Sequence, residues 1–281
     1  MLAVVLVGTG ASALAQASAI PSAAPVASAD TGAHGRQLLD QMVTALGGEA
    51  WRGRRNWKSD GNFGIFYKGK PNDVALKFEE FHQIQPNATR FVVITRMQRN
   101  MLALLGIPVG KDDRGIVELQ TGDTTYEITY RGKEELQKNI VTEQLRQRAH
   151  SLDAVMGWLK DPATGVFYEG SATVARRPAE RVSITNAAND TVTFEIDAST
   201  HLPVSREFQY RDAVFKDIDI DREEYDNYQL RDGVMTPFTV TRYRNGDMVG
   251  QRFITDIHYN VALDPNLFNP EVPLSGKPPK N

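Results

Sequence analysis

Cysteine is absent from all 281 residues, which excludes disulfides, a thiolate nucleophile and any cysteine-containing zinc site. It also excludes a bacterial-type lipid anchor, whose acyl chains are carried on a cysteine. Excess charge of either sign is missing too. The 32 Lys and Arg stand against 35 Asp and Glu, for a net charge of −3, so no overall field favours nucleic acid or an anionic membrane surface. No apolar run reaches the roughly 20 residues that a transmembrane helix needs. What the chain does have is apolar side chain, 41% of residues with 9% aromatic, enough for a sizeable core in one folded domain.

Catalytic signatures are equally scarce. His34, His82, His150, His201 and His258 form no H-x-x-x-H or H-E-x-x-H spacing. There is no G-x-S-x-G elbow, no Walker loop, and no G-x-G-x-x-G following a strand. Asp217, Asp219 and Asp221 alternate as in the opening of a calcium loop, but Arg222 and Tyr228 occupy the places of the required Gly and Glu. A strand with one polar face explains that alternation. No catalytic residue, metal or cofactor is therefore expected.

The chain divides by composition. Leu2 to Ala15 is apolar and rich in small residues, with Ala13-Leu14-Ala15 as an A-x-A cleavage-type site, although the first basic residue is Arg36. Residues 1–19 read as an export signal. The Ala, Ser and Pro of residues 20–34 read as a disordered linker. A single domain is expected over 35–274, followed by a flexible tail at 275–281.

Within the domain, Leu38, Leu39, Met42, Val43 and Leu46 recur at helical spacing before Gly47-Gly48. Alternating segments follow over 57–67, 74–84, 89–97, 116–119 and 124–130, each bounded by turn residues. More run from Glu180 to Tyr259, where Asn245-Gly246 is the strongest hairpin signal. No βαβ alternation occurs, so the strands should be antiparallel. Between the two sets, Leu136, Ile140, Val141, Leu145, Leu152, Val155 and Leu159 predict one long helix over 133–159. Its apolar stripe should lie on the sheet. Glu134, Glu135, Arg146 and Arg148 read as its solvated face. The run from Met101 to Val109 is apolar without helical room or alternation, and reads as a lid or as an ordinary core plug.

Two segments carry a family likeness. Asp197-Ala-Ser-Thr-His-Leu-Pro203 and Asn260-Val-Ala-Leu-Asp264-Pro-Asn-Leu-Phe268 resemble the D-x-x-T-x-L-P and terminal N-x-x-L-D-x-x-x-F of the LolA-like outer-membrane lipoprotein-sorting superfamily. The resemblance covers roughly the last 90 residues and the order of helix, strands, helix, strands. It implies an α+β, mainly antiparallel fold: a strongly curved half-barrel with an N-terminal helix and a long helix covering the concave face.

It further implies a periplasmic, non-catalytic carrier or sensor, exported and soluble, binding a lipid, an acyl chain or an acylated lipoprotein in an apolar cavity. Leu136, Ile140, Leu145 and Leu152 would line that cavity, with Met101, Leu102, Leu104, Leu105 and Ile107 as wall or lid. A monomer making transient contacts with envelope components is expected, and no nucleic-acid partner. The alternatives are an envelope interaction module with a filled core, and a hydrolase with a spatially assembled site.

Overall fold

The computed structural model describes residues 29–72, 76–94, 116–129, 132–212 and 215–271. Helix α1 spans Ala29–Ala45 and buries the predicted Leu38, Leu39, Met42 and Val43, with Leu46 just beyond its end. It begins six residues before the expected start at Gly35, inside the expected linker. His34 meets the ring of Tyr168 edge-on at 4.5 Å, so this turn of helix has a partner to dock on. The short α2 (Glu49–Arg52) follows and buries Trp51.

Strands β1 (Asn56–Tyr67), β2 (Lys70–Pro71), β3 (Leu76–Gln83), β4 (Ala88–Ile94), β5 (Ile116–Thr121), β6 (Thr124–Thr129) and β7 (Gly132–Glu135) build one arm. Helices α3 (Lys138–Ala149) and α4 (Leu152–Trp158) cross to the other. That second arm is a meander of β8 (Gly165–Val174), β9 (Arg177–Thr185), β10 (Thr191–Asp197), β11 (Pro203–Arg211), β12 (Ile218–Arg231), β13 (Val234–Arg244) and β14 (Asp247–Tyr259). The arms join because β14 returns to pair antiparallel with β1, placing the first strand in the middle of the sheet. The order is β7-β6-β5-β4-β3-β1-β14-β13-β12-β11-β10-β9-β8, with β2 on β1, and the described sheet ends on two free edges. Register shifts at Asp60/Gly61, Tyr168/Gly170, Glu195/Ile196 and Arg242/Tyr243 add local twist and bend to the strands.

The predicted Asn245-Gly246 hairpin is present, with φ of 51° and 84° at the two residues, as a two-residue turn matched to strand twist requires. The single helix expected over 133–159 is not. Residues 132–135 pair with β6 as a strand, and the rest divides at His150-Ser151. Ser151 ends the first helix by capping the second, its hydroxyl accepting from the Ala154 amide at 3.3 Å, while the His150 carbonyl accepts from buried Arg206. The apolar periodicity runs through the break, so the break is invisible in it.

The main core lies between α1, α4 and β8–β13: Leu39, Met42, Val155, Val182, Ile184, Val192, Phe194, Ile196 and Phe208 are all sealed from solvent. A second cluster, Val92, Val117, Leu119 and Ile128, is covered by Phe268 of the C-terminal segment.

Both segments of the family likeness have structural work. The Asp197 carboxylate accepts from the Ser199 and Thr200 amides and the Ser199 hydroxyl, fastening the turn into β11. Burial pushes its pKa up, but these hydrogen bonds outweigh it and hold the group at about 2. Asn260 ties the end of β14 back to Arg55 and Gly53.

Gly61 sits where the β1–β14 register shifts, and a Cβ there would lie 2.3 Å from the Phe253 carbonyl oxygen and 2.7 Å from the Phe78 ring. Gly61→Ala should therefore cost about 1–3 kcal/mol through backbone displacement. Urea unfolding checks this, and an unchanged midpoint would show that the β1–β14 junction is looser than described.

Candidate functional site: a cavity under helix α3

Helices α1 and α4 fill the concave side of the β8–β13 arm, and the C-terminal segment covers the outer side of β4–β6. Among the described residues no packed layer covers the concave side of the β1–β6 arm, and there a cavity of about 540 Å³ opens beneath α3. That is within the range of small-molecule sites.

Period-2 alternation supplies its wall. His82, Thr89, Gln120 and Thr125 are paired neighbours and form a polar row. One step along, Glu80, Phe91 and Glu118 are neighbours, and Trp57, Phe63, Ile65 and Val240 add apolar wall. Phe63 meets Phe91 edge-on at 5.5 Å, and Phe91 stacks on Phe78 at 5.1 Å.

The roof is polar. Glu143, Gln144, Gln147 and Arg148 of α3, with Ser151 and Asp153 beyond it, line the cavity at the helical spacing i, i+1, i+4, i+5. The expected lining does not match. Among the described residues Leu136 and Leu145 are half-buried outside the lining, Ile140 is 40% exposed, and Leu152 packs into the main core. The helix is shorter than expected and turned so that its polar stripe faces inward. Arg148, expected in solvent, is one of the roof residues. Met101, Leu102, Leu104, Leu105 and Ile107 lie outside the described residues.

Charge holds the roof at its station. Asp221, with no exposed side-chain surface, accepts from Arg242 at 2.6 Å and from Arg244 at 3.4 Å, and both arginines also bind Glu143 of α3. Burial of Arg242 is outweighed by these two carboxylates, so its pKa moves up. Arg206, equally buried, pairs Glu223 at 3.1 Å and donates to Gln147 at 3.3 Å. On the other arm Gln144 donates to Glu118 at 3.1 Å and accepts from Thr125 at 2.6 Å, and Arg148 reaches the Gly122 carbonyl at 2.9 Å. Helix α3 thus spans the concavity as a strut fastened at both sides. Sequence reasoning missed Glu143, Gln147, Asp221 and Arg242. The signals were a polar stripe at helical spacing and the Asp and Arg residues on the alternating strands.

Within the cavity Glu80 binds Arg252 at 2.6 Å and Ser59 at 3.3 Å, and Arg252 lies 4.5 Å over the Phe78 ring. Burial raises the Glu80 carboxyl, but Arg252 outweighs it and the net shift is downward. His82 stacks on Trp57 at 3.9 Å, and its Nδ1 lies 2.8 Å from the Thr89 hydroxyl. Burial lowers its pKa to about 4. The hydrogen bonds of Glu80 go to arginine and serine rather than to this imidazole, so among the described residues no carboxylate is bonded behind the histidine–hydroxyl pair, as a serine-type triad would require. No group of three or more His, Asp or Glu arranged to hold a metal occurs among the described residues.

No protein-family model matches the sequence, and no curated protein sequence matches it. Solved structures do. A DUF1329 family protein from Desulfovibrio piger is 10% identical over 85% of this chain and 97% of its own, with a TM-score of 0.53. A putative outer-membrane lipoprotein-sorting protein domain from Vibrio parahaemolyticus is also 10% identical, over 87% and 99%, with a TM-score of 0.52. A LolA superfamily protein from Nitrosomonas europaea aligns at 9% identity over 83% and 96%, with a TM-score of 0.48. The chain therefore shares the fold of the DUF1329 family protein and of the lipoprotein-sorting protein domain, an open antiparallel half-barrel. No described helix is long and apolar enough to cross a membrane.

Two measurements probe this site. Asp221→Asn should cost about 3–5 kcal/mol, because it strips a buried partner from two arginines, whereas Glu143→Gln, at a partly exposed pair, should cost about 1 kcal/mol or less and chiefly speed amide exchange in α3. Equal costs by urea unfolding would reject the strut. For His82, the folded ring resists protonation that the unfolded chain accepts near its ordinary 6.5. Its contribution to stability is therefore full above pH 6.5 and is lost as pH falls towards 4, amounting to about 2 kcal/mol at pH 5. Unfolding at pH 7 and pH 5 should reveal that loss in the parent and a smaller one in His82→Phe; the same loss in both would trace the acid sensitivity to other groups.

Proposed function

We propose that this protein is a periplasmic, non-catalytic carrier or sensor that shelters the acyl chain of a lipid or acylated lipoprotein in the cavity beneath α3. The observation that carries the reading is the concave side of the β1–β6 arm, unfilled among the described residues: Phe63, Phe91, Trp57 and Val240 bound a space of about 540 Å³ where a solid interior would have packed side chains. Burying an acyl chain against those residues is favourable at about 0.8 kcal/mol per methylene. The LolA-like fold supports the same reading, and the export-type segment at residues 1–19 supports a periplasmic site of action.

A fluorescent acyl probe titrated into the full chain tests the proposal. The parent should bind, and Val240→Trp, which occupies cavity volume from the β13 wall, should weaken binding at least about tenfold with the urea midpoint essentially unchanged. A parent that takes up no acyl probe, and that carries no lipid when isolated from its native host and examined by mass spectrometry, would reject the carrier reading.

A further inference from the structure

The charges of the cavity wall pair off with one exception. Glu80 is matched by Arg252, Asp153 by Arg54 at 2.5 Å, Glu223 by Arg206, and Glu143 by Arg242, Arg244 and Arg146. The cationic wall residues Arg148, Arg242 and Arg252 each have an acidic partner of their own, Arg148 at 3.5 Å from Asp123. Glu118 has none: among the described residues its hydrogen-bond partner is the neutral Gln144, and its neighbour across β6 is another acid, Glu127. Like charges directly opposite on adjacent strands are unfavourable, and withdrawing a carboxylate partly from water without a counter-charge adds to the cost. Burial and then Glu127 push its carboxyl pKa up accordingly.

The surroundings of Glu118 suit a particular guest. Its other cross-strand neighbour is Phe91, within the aromatic group that includes Phe63. A carboxylate without a counter-charge, with apolar wall leading away from it, matches a cationic nitrogen attached to a hydrocarbon chain: the carboxylate supplies the counter-charge and the wall takes the chain.

Building on the carrier reading, we propose that the ligand is an amphiphile with a cationic amine head, its nitrogen paired to Glu118 and its chain lying along Phe91 and Phe63. An anionic head in the same position would add a third like charge to Glu118 and Glu127.

Three probes with the same ten-carbon chain decide the matter: decylamine, decanoate and decanol, titrated calorimetrically into the full-length protein at neutral pH below their aggregation limits. The parent should bind decylamine at least about tenfold more tightly than decanoate. Glu118→Gln should abolish that preference while retaining decanol binding, and Glu118→Lys should invert it. Equal affinity for the three probes, or a preference that survives in Glu118→Gln, overturns the amine assignment and leaves the carrier reading standing. Failure of all three to bind overturns both.

Discussion

Asp221 has no solvent-exposed side-chain surface, yet it carries the charge on which the position of α3 depends. A buried carboxylate of this kind is unfavourable unless its partners are well placed, and Arg242 and Arg244 are the partners that make it tolerable. The same two guanidinium groups reach Glu143, so one ion network links β12 and β13 to the roof helix. Polar contacts set the height of α3 above the sheet. An apolar helix in its place would gain by sinking onto Phe63 and Phe91, and the cavity would close.

The second constraint is one of coverage. A curved sheet offers two faces on each of two arms, and the chain has a limited stock of material to cover them. Helices α1 and α4 take the concave face of β8–β13, where Phe194 and Phe208 are fully buried. The C-terminal segment takes the outer face of β4–β6 through Phe268. Among the described residues, what remains is the concave face of the β1–β6 arm, spanned by a polar roof. The cavity is thus a consequence of where three covering segments dock, with the β1–β14 pairing holding both arms in a single sheet.

Desolvation shapes the titratable groups in that space. It drives His82 towards the neutral form and Glu118 in the same direction, while Arg252 reverses its effect on Glu80. Burial thus disfavours unpaired charge in this space, and a nearby counter-ion reverses the effect.

The sequence by itself determined the strand-rich character, the antiparallel pairing, the hairpin at Asn245-Gly246 and the buried stripe of α1, because alternation, turn chemistry and 3.6-residue spacing are local properties of the chain. It also carried the likeness to the lipoprotein-sorting fold, since Asp197 and Asn260 act on backbone a few residues away or at the strand ends they bracket. Tertiary structure alone decided the division of the expected long helix, because that division depends on Arg206, 56 residues away, taking the His150 carbonyl. It likewise decided which stripe of α3 faces the cavity. Leu136, Ile140, Leu145 and Leu152 were legible as apolar, but the pull of Arg242 and Arg244 on Glu143 turns the polar stripe inward. Long-range ion pairs leave no periodic trace in sequence, so the part of the site they position could only be read in three dimensions.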